Sequence, residues 1–257
     1  MFSSFVLRIA TVAPIAKKTT PVPLSILEAT RKFGTVLENV AIDPATRRLD
    51  LDNAGLTENT RAAYPITHIP GADPGGMGGH PRHIFFLAYD AFGVLPPFAR
   101  LTAEQAMYHF ISGYTSKVAG TEKGVTEPQV TFSPCFSGLF LPLYPRLYGR
   151  LLAEKIQKHQ ARCWLVNTGI TGGPYGVGQR IAIKLTRGLI TAALEGKLDN
   201  VLTRPDPVFR LSALESASGI PEGLLNPRSS WSDPDAYDTK AAELAEQFAA
   251  NEKAFDG

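Results

Sequence analysis

The most specific local pattern in the sequence is a glycine-rich segment that runs from Asn167 to Arg180. It holds five glycines between two apolar runs, and because glycine has no Cβ, such a segment lets the backbone approach a flat or phosphorylated ligand. Gly173–Gly178 has the glycine spacing of a Walker A phosphate loop, but Gln179 and Arg180 stand where that motif requires Lys and Ser or Thr. The sequence excludes that motif and leaves two interpretations, a loop at the edge of a nucleotide and a tight connection between strands.

Arg61 is the second candidate for chemistry. It lies between the polar residues 57–60 and Tyr64, whose backbone is restricted to extended conformations by Pro65. An arginine that projects from such a turn suits bidentate contact with phosphate or carboxylate. The alternative interpretation is a surface ion pair with Glu58.

Charged residues of the polar segment 114–131 form a third candidate. Lys117, Glu122, Lys123 and Glu127 could build a lid over a substrate, and the alternative is solvated loop charge. The five histidines have no zinc-ligand spacing and the acids form no dinuclear pattern, so we predict no metal site built wholly from this chain.

Composition is that of an ordinary globular protein. The chain has 257 residues, is 44% hydrophobic and 19% charged, and carries a formal net charge of +2, which excludes extensive disorder, coiled coil and a strongly basic nucleic-acid or membrane surface. Cys135 and Cys163 lie in apolar runs, so we interpret both as core thiols in a reducing compartment, the cytoplasm. Residues 1–27 are basic and acid-free, so an organellar transit peptide is the alternative to an irregular leader or a truncated start.

Frequent proline and glycine indicate a mixed α/β (α+β) fold with many short elements. Apolar alternation predicts two strands, 36–42 and 49–52, around a turn at 43–46, and the segment 114–131 is predicted to be a mobile loop. Thr102 and Gln105 form a capping-box pattern that predicts a helix to Ser112, ended by Gly113. Further strands are predicted at 83–89, 163–166 and 180–184, and further helices at 145–160, from Thr186 to Glu195 with Gly196 following, and at 233–255.

Several segments of the sequence, taken in their order along the chain, resemble the ATP-dependent phosphoenolpyruvate carboxykinase family. The resemblance runs from about Phe33 to the C-terminal helix, and it rests on the segments 34–40, 58–61, 90–97, 112–115, 119–122 and the glycine-rich segment through Arg180. It implies an ATP-dependent carboxy-lyase of gluconeogenesis that converts oxaloacetate and ATP into phosphoenolpyruvate, CO2 and ADP. It also implies a truncated C-terminal nucleotide-binding domain at 31–257, with 114–131 as the active-site lid. Residues 1–30 show no family match and are interpreted as an irregular or unmatched leader.

The resemblance also implies roles for individual residues. Arg61 matches the family arginine that contacts the transferred phosphoryl group and the substrate, while Arg180, Ile181 and Thr186 match positions on the adenine and ribose side of ATP. Cations around the spreading negative charge are what phosphoryl transfer requires.

The chain departs from the family pattern at several places. The family's phosphate loop and its aspartate, lysine and histidine ligands for Mn²⁺ or Mg²⁺ lie upstream of the matched region and have no counterpart here. Ile170 and Gln179 stand where the family has Trp and Lys, and no acid precedes Glu28. One electrostatic donor contributes about 3–4 kcal/mol, against the roughly 8–23 kcal/mol by which enzymes lower barriers.

Three hypotheses therefore stand. By resemblance the chain is a carboxykinase. By chemistry it is an incomplete fragment that at most binds adenine nucleotide, or a partner for an N-terminal half. The third hypothesis is a sugar- or peptide-binding scaffold that reuses the fold.

Overall fold

The computed structural model of the protein describes residues 10–12, 24–50, 53, 55–56, 60–70, 72–73, 75, 77–117, 127–206 and 208–255. These residues form two compact units. The smaller unit comprises the described residues up to Gly79 together with Glu127, and the larger comprises His80–Lys117 and the described residues from Pro128 onward. The predicted division of the chain at residues 30 and 31 stays a prediction.

Short strands build the smaller unit. In chain order its elements are β1 (Ala10–Val12), α1 (Leu24–Arg31), β2 (Val36–Glu38), β3 (Ala41–Ile42), β4 (Leu49–Asp50), β5 (Thr60–Ala63) and a 3-10 turn (Ile66–His68). β5 lies between β1 and β2 and pairs antiparallel with both, while β3 and β4 form a separate hairpin.

The strand predicted over 36–42 is interrupted in the structure. Asn39 adopts a positive φ of 59°, so the chain turns between β2, which pairs with β5, and β3, which pairs with β4. The predicted turn after β3 is confirmed, and the Asp43 carboxylate stabilises it by accepting hydrogen bonds from the N–H groups of Ala45 (2.9 Å) and Thr46 (2.6 Å).

A five-stranded mixed sheet is the centre of the larger unit. Its elements are β6 (His83–Ala88), β7 (Phe98–Leu101), α2 (Ala103–Ser112), β8 (Tyr114–Lys117), β9 (Gln129–Phe132), 3-10 turns at Pro134–Phe136 and Gly138–Phe140, α3 (Pro145–His159), β10 (Arg162–Asn167), β11 (Ile170–Thr171), β12 (Gln179–Arg180), α4 (Ile183–Leu194), β13 (Thr203–Asp206), β14 (Leu211–Leu214), α5 (Glu222–Leu225), α6 (Pro227–Ser230) and α7 (Pro234–Lys253). The strand order is β13-β14-β7-β10-β6, in which β10 and β6 are parallel and the other pairs are antiparallel. This mixed α/β architecture confirms the predicted fold class.

Helices cover both faces of this sheet. Alternate residues of β10 belong to different clusters: Leu165 packs in a core that includes Phe248 of α7, whereas Trp164 packs in a core that includes Leu189 of α4. Burial on both faces explains why β10 is a continuous apolar run. The predicted C-terminal helix is confirmed, and it buries Tyr237, Ala241, Leu244 and Phe248 at helical spacing.

Local signals predicted some elements well. Thr102 accepts from the N–H of Gln105 and Gln105 accepts in return from the N–H of Thr102, so the capping box is confirmed, as is Gly113 in the left-handed conformation. The mobile loop predicted over 114–131 is wrong at both ends, because β8 and β9 pair there as an antiparallel hairpin. Residues 118–126 lie outside the described residues.

Candidate functional site

Two loops meet at the carboxyl ends of β6 and β10. Because these strands are parallel and pair Ala88 with Asn167, the loop 89–97 after β6 and the glycine-rich segment after β10 emerge side by side. The crevice outside the carboxyl ends of parallel strands is where open α/β sheets bind their ligands.

Asp90 organises the first of these loops. Its carboxylate is fully buried and accepts hydrogen bonds from the backbone N–H groups of Phe92 (2.9 Å), Val94 (2.8 Å) and Leu95 (2.8 Å), and from the hydroxyl of Tyr114 (3.1 Å). Burial raises the pKa of Asp90, and the three N–H groups and the Tyr114 hydroxyl oppose that rise by stabilising the charged form.

Asn167 ties the second loop to the first. It is fully buried; its Oδ1 accepts from the N–H groups of Asp90 (3.1 Å) and Gly169 (2.8 Å), and its Nδ2 donates to the carbonyl of Leu95 (3.0 Å). The N–H of Ile170 donates to the carbonyl of Asp90 at 2.8 Å. The two loops therefore form one hydrogen-bonded platform.

Several glycines of this platform are required by its own packing. A Cβ on Gly169 would lie 2.0 Å from the carbonyl oxygen of Asp90, and a Cβ on Gly178 would lie 2.2 Å from that of Gly173. Gly176 is different, since a Cβ there would meet no atom within 4 Å. The tight-connection interpretation therefore accounts for Gly169 and Gly178, while the backbone at Gly176 borders open space.

Arg180 and Ile181 leave the platform together. Arg180 ends the β11–β12 hairpin, and its guanidinium carbon lies 5.5 Å from the centre of the Tyr89 ring, in cation–π contact. Ile181 is buried, and its N–H donates to the carbonyl of Gly169 at 2.9 Å. Burial raises the pKa of the Tyr89 hydroxyl above its ordinary value, and the positive charge of Arg180 opposes that rise.

Two predictions about the segment after Arg180 are wrong. The strand expected over 180–184 ends at Arg180, because α4 begins at Ile183. Thr186 does not cap the helix; Ala182 is the N-cap residue, and Thr186 lies in the first turn with its N–H 3.3 Å from the Ala182 carbonyl. Arg180 and Ile181 lie just before α4, and Thr186 lies in its first turn.

Arg61 belongs to the smaller unit. It lies within β5 and not on the predicted turn, and β2 places Glu38 opposite it, with Nη1 and Oε2 3.8 Å apart. Glu58, the predicted partner, lies outside the described residues. The side chains of Arg61 and Glu38 are 46% and 60% exposed.

Residues of the predicted lid are only partly described. Lys117 ends β8 and Glu127 precedes β9, whereas Glu122 and Lys123 lie outside the described residues. Sequence reasoning did not single out Tyr89, Asp90 or the side chain of Asn167 as individual residues. The signal for Asp90 was an aspartate at a strand end that is followed closely by glycine and proline.

Two clefts of the larger unit lie elsewhere. One of about 500 Å³ is lined by residues of α2, the start of α3, Arg210 and the end of α7; the other, of about 820 Å³, includes His83, His159 and Arg162. Neither is lined by Arg180, Ile181 or Thr186. In the described part of the chain, no three His, Cys, Asp or Glu side chains are grouped so that they could hold a metal ion.

None of the helices among the described residues combines the length and apolar character that crossing a lipid bilayer demands. Both cysteines are buried free thiols, as predicted, and burial raises the pKa of each to about 11.

The fold and the loop platform together define a mixed α/β protein, and its candidate site lies at the carboxyl ends of the two parallel strands β6 and β10. A family model described as phosphoenolpyruvate carboxykinase matches residues 12–223. The chain therefore belongs to the phosphoenolpyruvate carboxykinase family, and the resemblance inferred from the sequence is confirmed. The match starts earlier than predicted, so the expectation that the first 30 or so residues lack a family match is wrong for residues 12–30.

Relatives named phosphoenolpyruvate carboxykinase (ATP) align over most of the chain. The one from Pelobacter propionicus is 57% identical over 226 residues, which are 88% of this chain and 43% of the relative. The one from Geotalea uraniireducens is 54% identical over 246 residues, or 96% of this chain and 46% of the relative. The one from Thermus thermophilus is 54% identical over 226 residues, again 43% of its length. The chain thus spans less than half the length of these relatives.

Proposed function

We propose that the protein functions in an ATP-dependent phosphoenolpyruvate carboxykinase, which decarboxylates oxaloacetate and phosphorylates the resulting enolate to give phosphoenolpyruvate, CO2 and ADP. The observation that carries this proposal is the family match over residues 12–223. The reaction would serve gluconeogenesis. Two buried free thiols support a reducing compartment, which we take to be the cytoplasm.

We assign Arg180, Ile181 and Thr186 to the adenine and ribose side of ATP. Their position supports this assignment, since they follow the platform at the carboxyl ends of β6 and β10, where such sheets bind ligands. Arg180 is exposed although its guanidinium lies over Tyr89, so it can contact a ligand without leaving the protein surface.

We assign Arg61 to the transferred phosphoryl group and the substrate. Its ion pair with Glu38 is about half exposed, and exposed pairs of this kind contribute only about 0–1 kcal/mol. A phosphate or carboxylate ligand can therefore displace Glu38 at little cost. Bidentate contact with the incoming oxyanion would replace the pair with stronger hydrogen bonds.

The described residues do not fit the divalent metal that the family implies. They contain no group of three potential ligands, and the buried acid of the platform, Asp90, already accepts four hydrogen bonds. The described residues therefore do not supply a site for Mn²⁺ or Mg²⁺.

A second candidate function is that of an incomplete fragment that binds adenine nucleotide without turnover. The observation that favours it is that the chain spans 43% and 46% of two relatives. Alone, Arg61 would supply about 3–4 kcal/mol of charge stabilisation, well below the roughly 8–23 kcal/mol of typical enzymes.

A kinetic assay tests the proposed function. The chain is assayed with oxaloacetate, ATP and Mn²⁺, alone and mixed with the N-terminal part of the Pelobacter propionicus relative that this chain does not cover. We expect phosphoenolpyruvate formation in the mixture and none above background with the chain alone. Turnover by the chain alone at the rate of an intact relative contradicts the fragment interpretation, and an inactive mixture of two folded, associated parts contradicts the carboxykinase proposal.

Replacement of Arg180 tests the nucleotide assignment. We expect Arg180→Gln to weaken ATP binding about tenfold, because one charge-assisted contact contributes about 1.5–3 kcal/mol. The matched control is Arg187→Gln, since Arg187 is an exposed arginine of α4. Titration calorimetry with ATP provides the measurement, and equal affinities of the two variants would remove Arg180 from the site.

A further inference from the structure

A cleft between α2 and the start of α3 has the size of a small-molecule site. Its volume is about 500 Å³, and typical sites of this kind enclose roughly 300–1,000 Å³. Met107 and Ile111 of α2, Arg146 and Arg150 of α3, and Arg210 line it, and it is called the α2–α3 cleft below. None of the three residues assigned above to ATP belongs to its lining.

An apolar stripe of α2 lines one side of the cleft. Met107 and Ile111 are four residues apart and Tyr108 lies between them, so the three side chains share a face of the helix. All three are only partly buried, whereas α2 buries Ala106 and His109 in the core of the larger unit. The described residues therefore leave this stripe incompletely covered.

Gly149 determines how closely α3 approaches the stripe. A Cβ on Gly149 would lie 2.6 Å from Cδ1 of Ile111 and 3.0 Å from Cγ of Met107, so a side chain there would have to displace Ile111. Arg146 and Arg150 flank Gly149 along the helix and are one turn apart. The close approach at Gly149 thus places two guanidinium groups beside an apolar surface.

Positive charge predominates in the lining, which has three arginines and two glutamates. Arg210 joins the two arginines of α3; its guanidinium carbon lies 4.7 Å from the centre of the Tyr108 ring, and its Nη1 lies 3.3 Å from Oε1 of Glu252. The side chains of this ion pair are 59% and 37% exposed, and exposed pairs contribute little to stability. An anion can therefore take the place of Glu252 at little cost.

We propose that the α2–α3 cleft binds a small organic oxyanion, namely a carboxylate or phosphate attached to an apolar ring. Guanidinium groups bind both oxyanions in bidentate geometry. The ring of the ligand packs on the apolar stripe and beside Tyr144 and Phe255, whose own rings meet edge to face with their centres 6.4 Å apart. This inference does not depend on the carboxykinase assignment.

Titration calorimetry of the whole chain with phenyl phosphate and with benzoate tests the proposal and distinguishes the two oxyanions. We expect one molecule of at least one probe to bind with a dissociation constant of about 1 mM or lower. Inorganic phosphate and phenol should each bind at least about tenfold more weakly, because each keeps only one half of the ligand. Saturating ATP should leave the affinity for the probe within about twofold, since ATP is assigned to other residues.

Replacement of Arg150 tests the role of the arginines. We expect Arg150→Gln to weaken binding of the better probe at least about tenfold, because a charge-assisted contact is lost. Arg187→Gln is the matched control, since Arg187 is an exposed arginine of α4 that does not line the cleft, and we expect a change of less than about twofold.

Methyl NMR of the unsubstituted chain gives a measurement that does not depend on the folding of a variant. The ring of the bound probe should shift the methyl signals of Met107 and Ile111 and leave that of Ile220, which packs against the other core of the larger unit, unchanged. Failure of both probes to bind at about 10 mM, equal affinity for the better probe and for inorganic phosphate, displacement by ATP, or equal binding by Arg150→Gln and Arg187→Gln would each overturn the proposal.

Discussion

Replacing Asp90 with alanine is expected to lower the free energy of unfolding of the larger unit by about 4 kcal/mol or more, because each buried group left without a partner costs roughly 1–3 kcal/mol. The Asp90 carboxylate is fully buried and accepts from the N–H groups of Phe92, Val94 and Leu95 and from the Tyr114 hydroxyl, so all four donors lose their partner in the variant. The measurement is urea unfolding followed by the fluorescence of Trp164 and Trp231, which both belong to the larger unit.

A matched control separates burial from hydrogen bonding itself. Asp233 also accepts from two backbone N–H groups, those of Asp235 and Ala236, but as an exposed helix cap. We expect Asp233→Ala to cost only about 1 kcal/mol, since water can satisfy the freed groups. Asp90→Asn keeps one carbonyl oxygen and should lie between the two alanine variants. If Asp90→Ala cost no more than Asp233→Ala, Asp90 would not be what holds the platform together.

Elements that depend on neighbouring residues were predictable from the sequence. The capping box of α2 requires only Thr102 and Gln105, three residues apart, and the left-handed Gly113 requires only the absence of a Cβ. The buried strand β10 was likewise visible as a short apolar run. In these cases the local preference and the final fold agree.

Elements that depend on distant residues were not predictable. β8 and β9 are polar in sequence, yet they pair because the rings of Tyr114 and Phe132 pack on each other at 5.7 Å and on Phe248 of α7 at 5.0 and 5.1 Å. The apolar alternation of Ile181 and Ile183 suggested a strand, but the carbonyl of Gly169 holds Ile181 and the chain then turns into α4. Tertiary contacts overrode the local pattern in both segments.

The candidate site shows the same division. The glycine-rich segment was found from composition alone, and its position after a buried strand was correct. The partners of the arginines were not found, because Glu38 meets Arg61 through the register of β2 and β5, and Tyr89 meets Arg180 through the junction of two loops. Such register and junction contacts join residues that are far apart in sequence, and periodicity carries no information about them.

The stability of the larger unit is expected to fall by about 2 kcal/mol between pH 7.5 and pH 5 because of His109 alone, since each unit of pKa difference contributes about 1.4 kcal/mol. Burial lowers the pKa of His109 from 6.5 to about 4, although hydrogen bonds to the carbonyls of Phe209 and Arg210 oppose the shift. Because the folded pKa lies below the unfolded value, the unfolded chain binds more protons in this range. The stabilisation is therefore complete above pH 6.5 and is lost as the pH falls toward 4.

Replacement with glutamine isolates this residue. The Nε2 of His109 lies 2.9 Å from the carbonyl of Phe209, which can only accept, so the neutral ring donates from Nε2; an amide N–H of glutamine can donate in its place without titrating. His83 and His159 also have lowered pKa values but titrate equally in both proteins, so the difference in pH slope belongs to His109. We expect the unfolding free energy of His109→Gln, measured in urea at five pH values, to change by about 2 kcal/mol less than that of the wild type over pH 5–7.5. Parallel pH profiles would show that His109 takes up a proton inside the folded core as readily as it does in the unfolded chain.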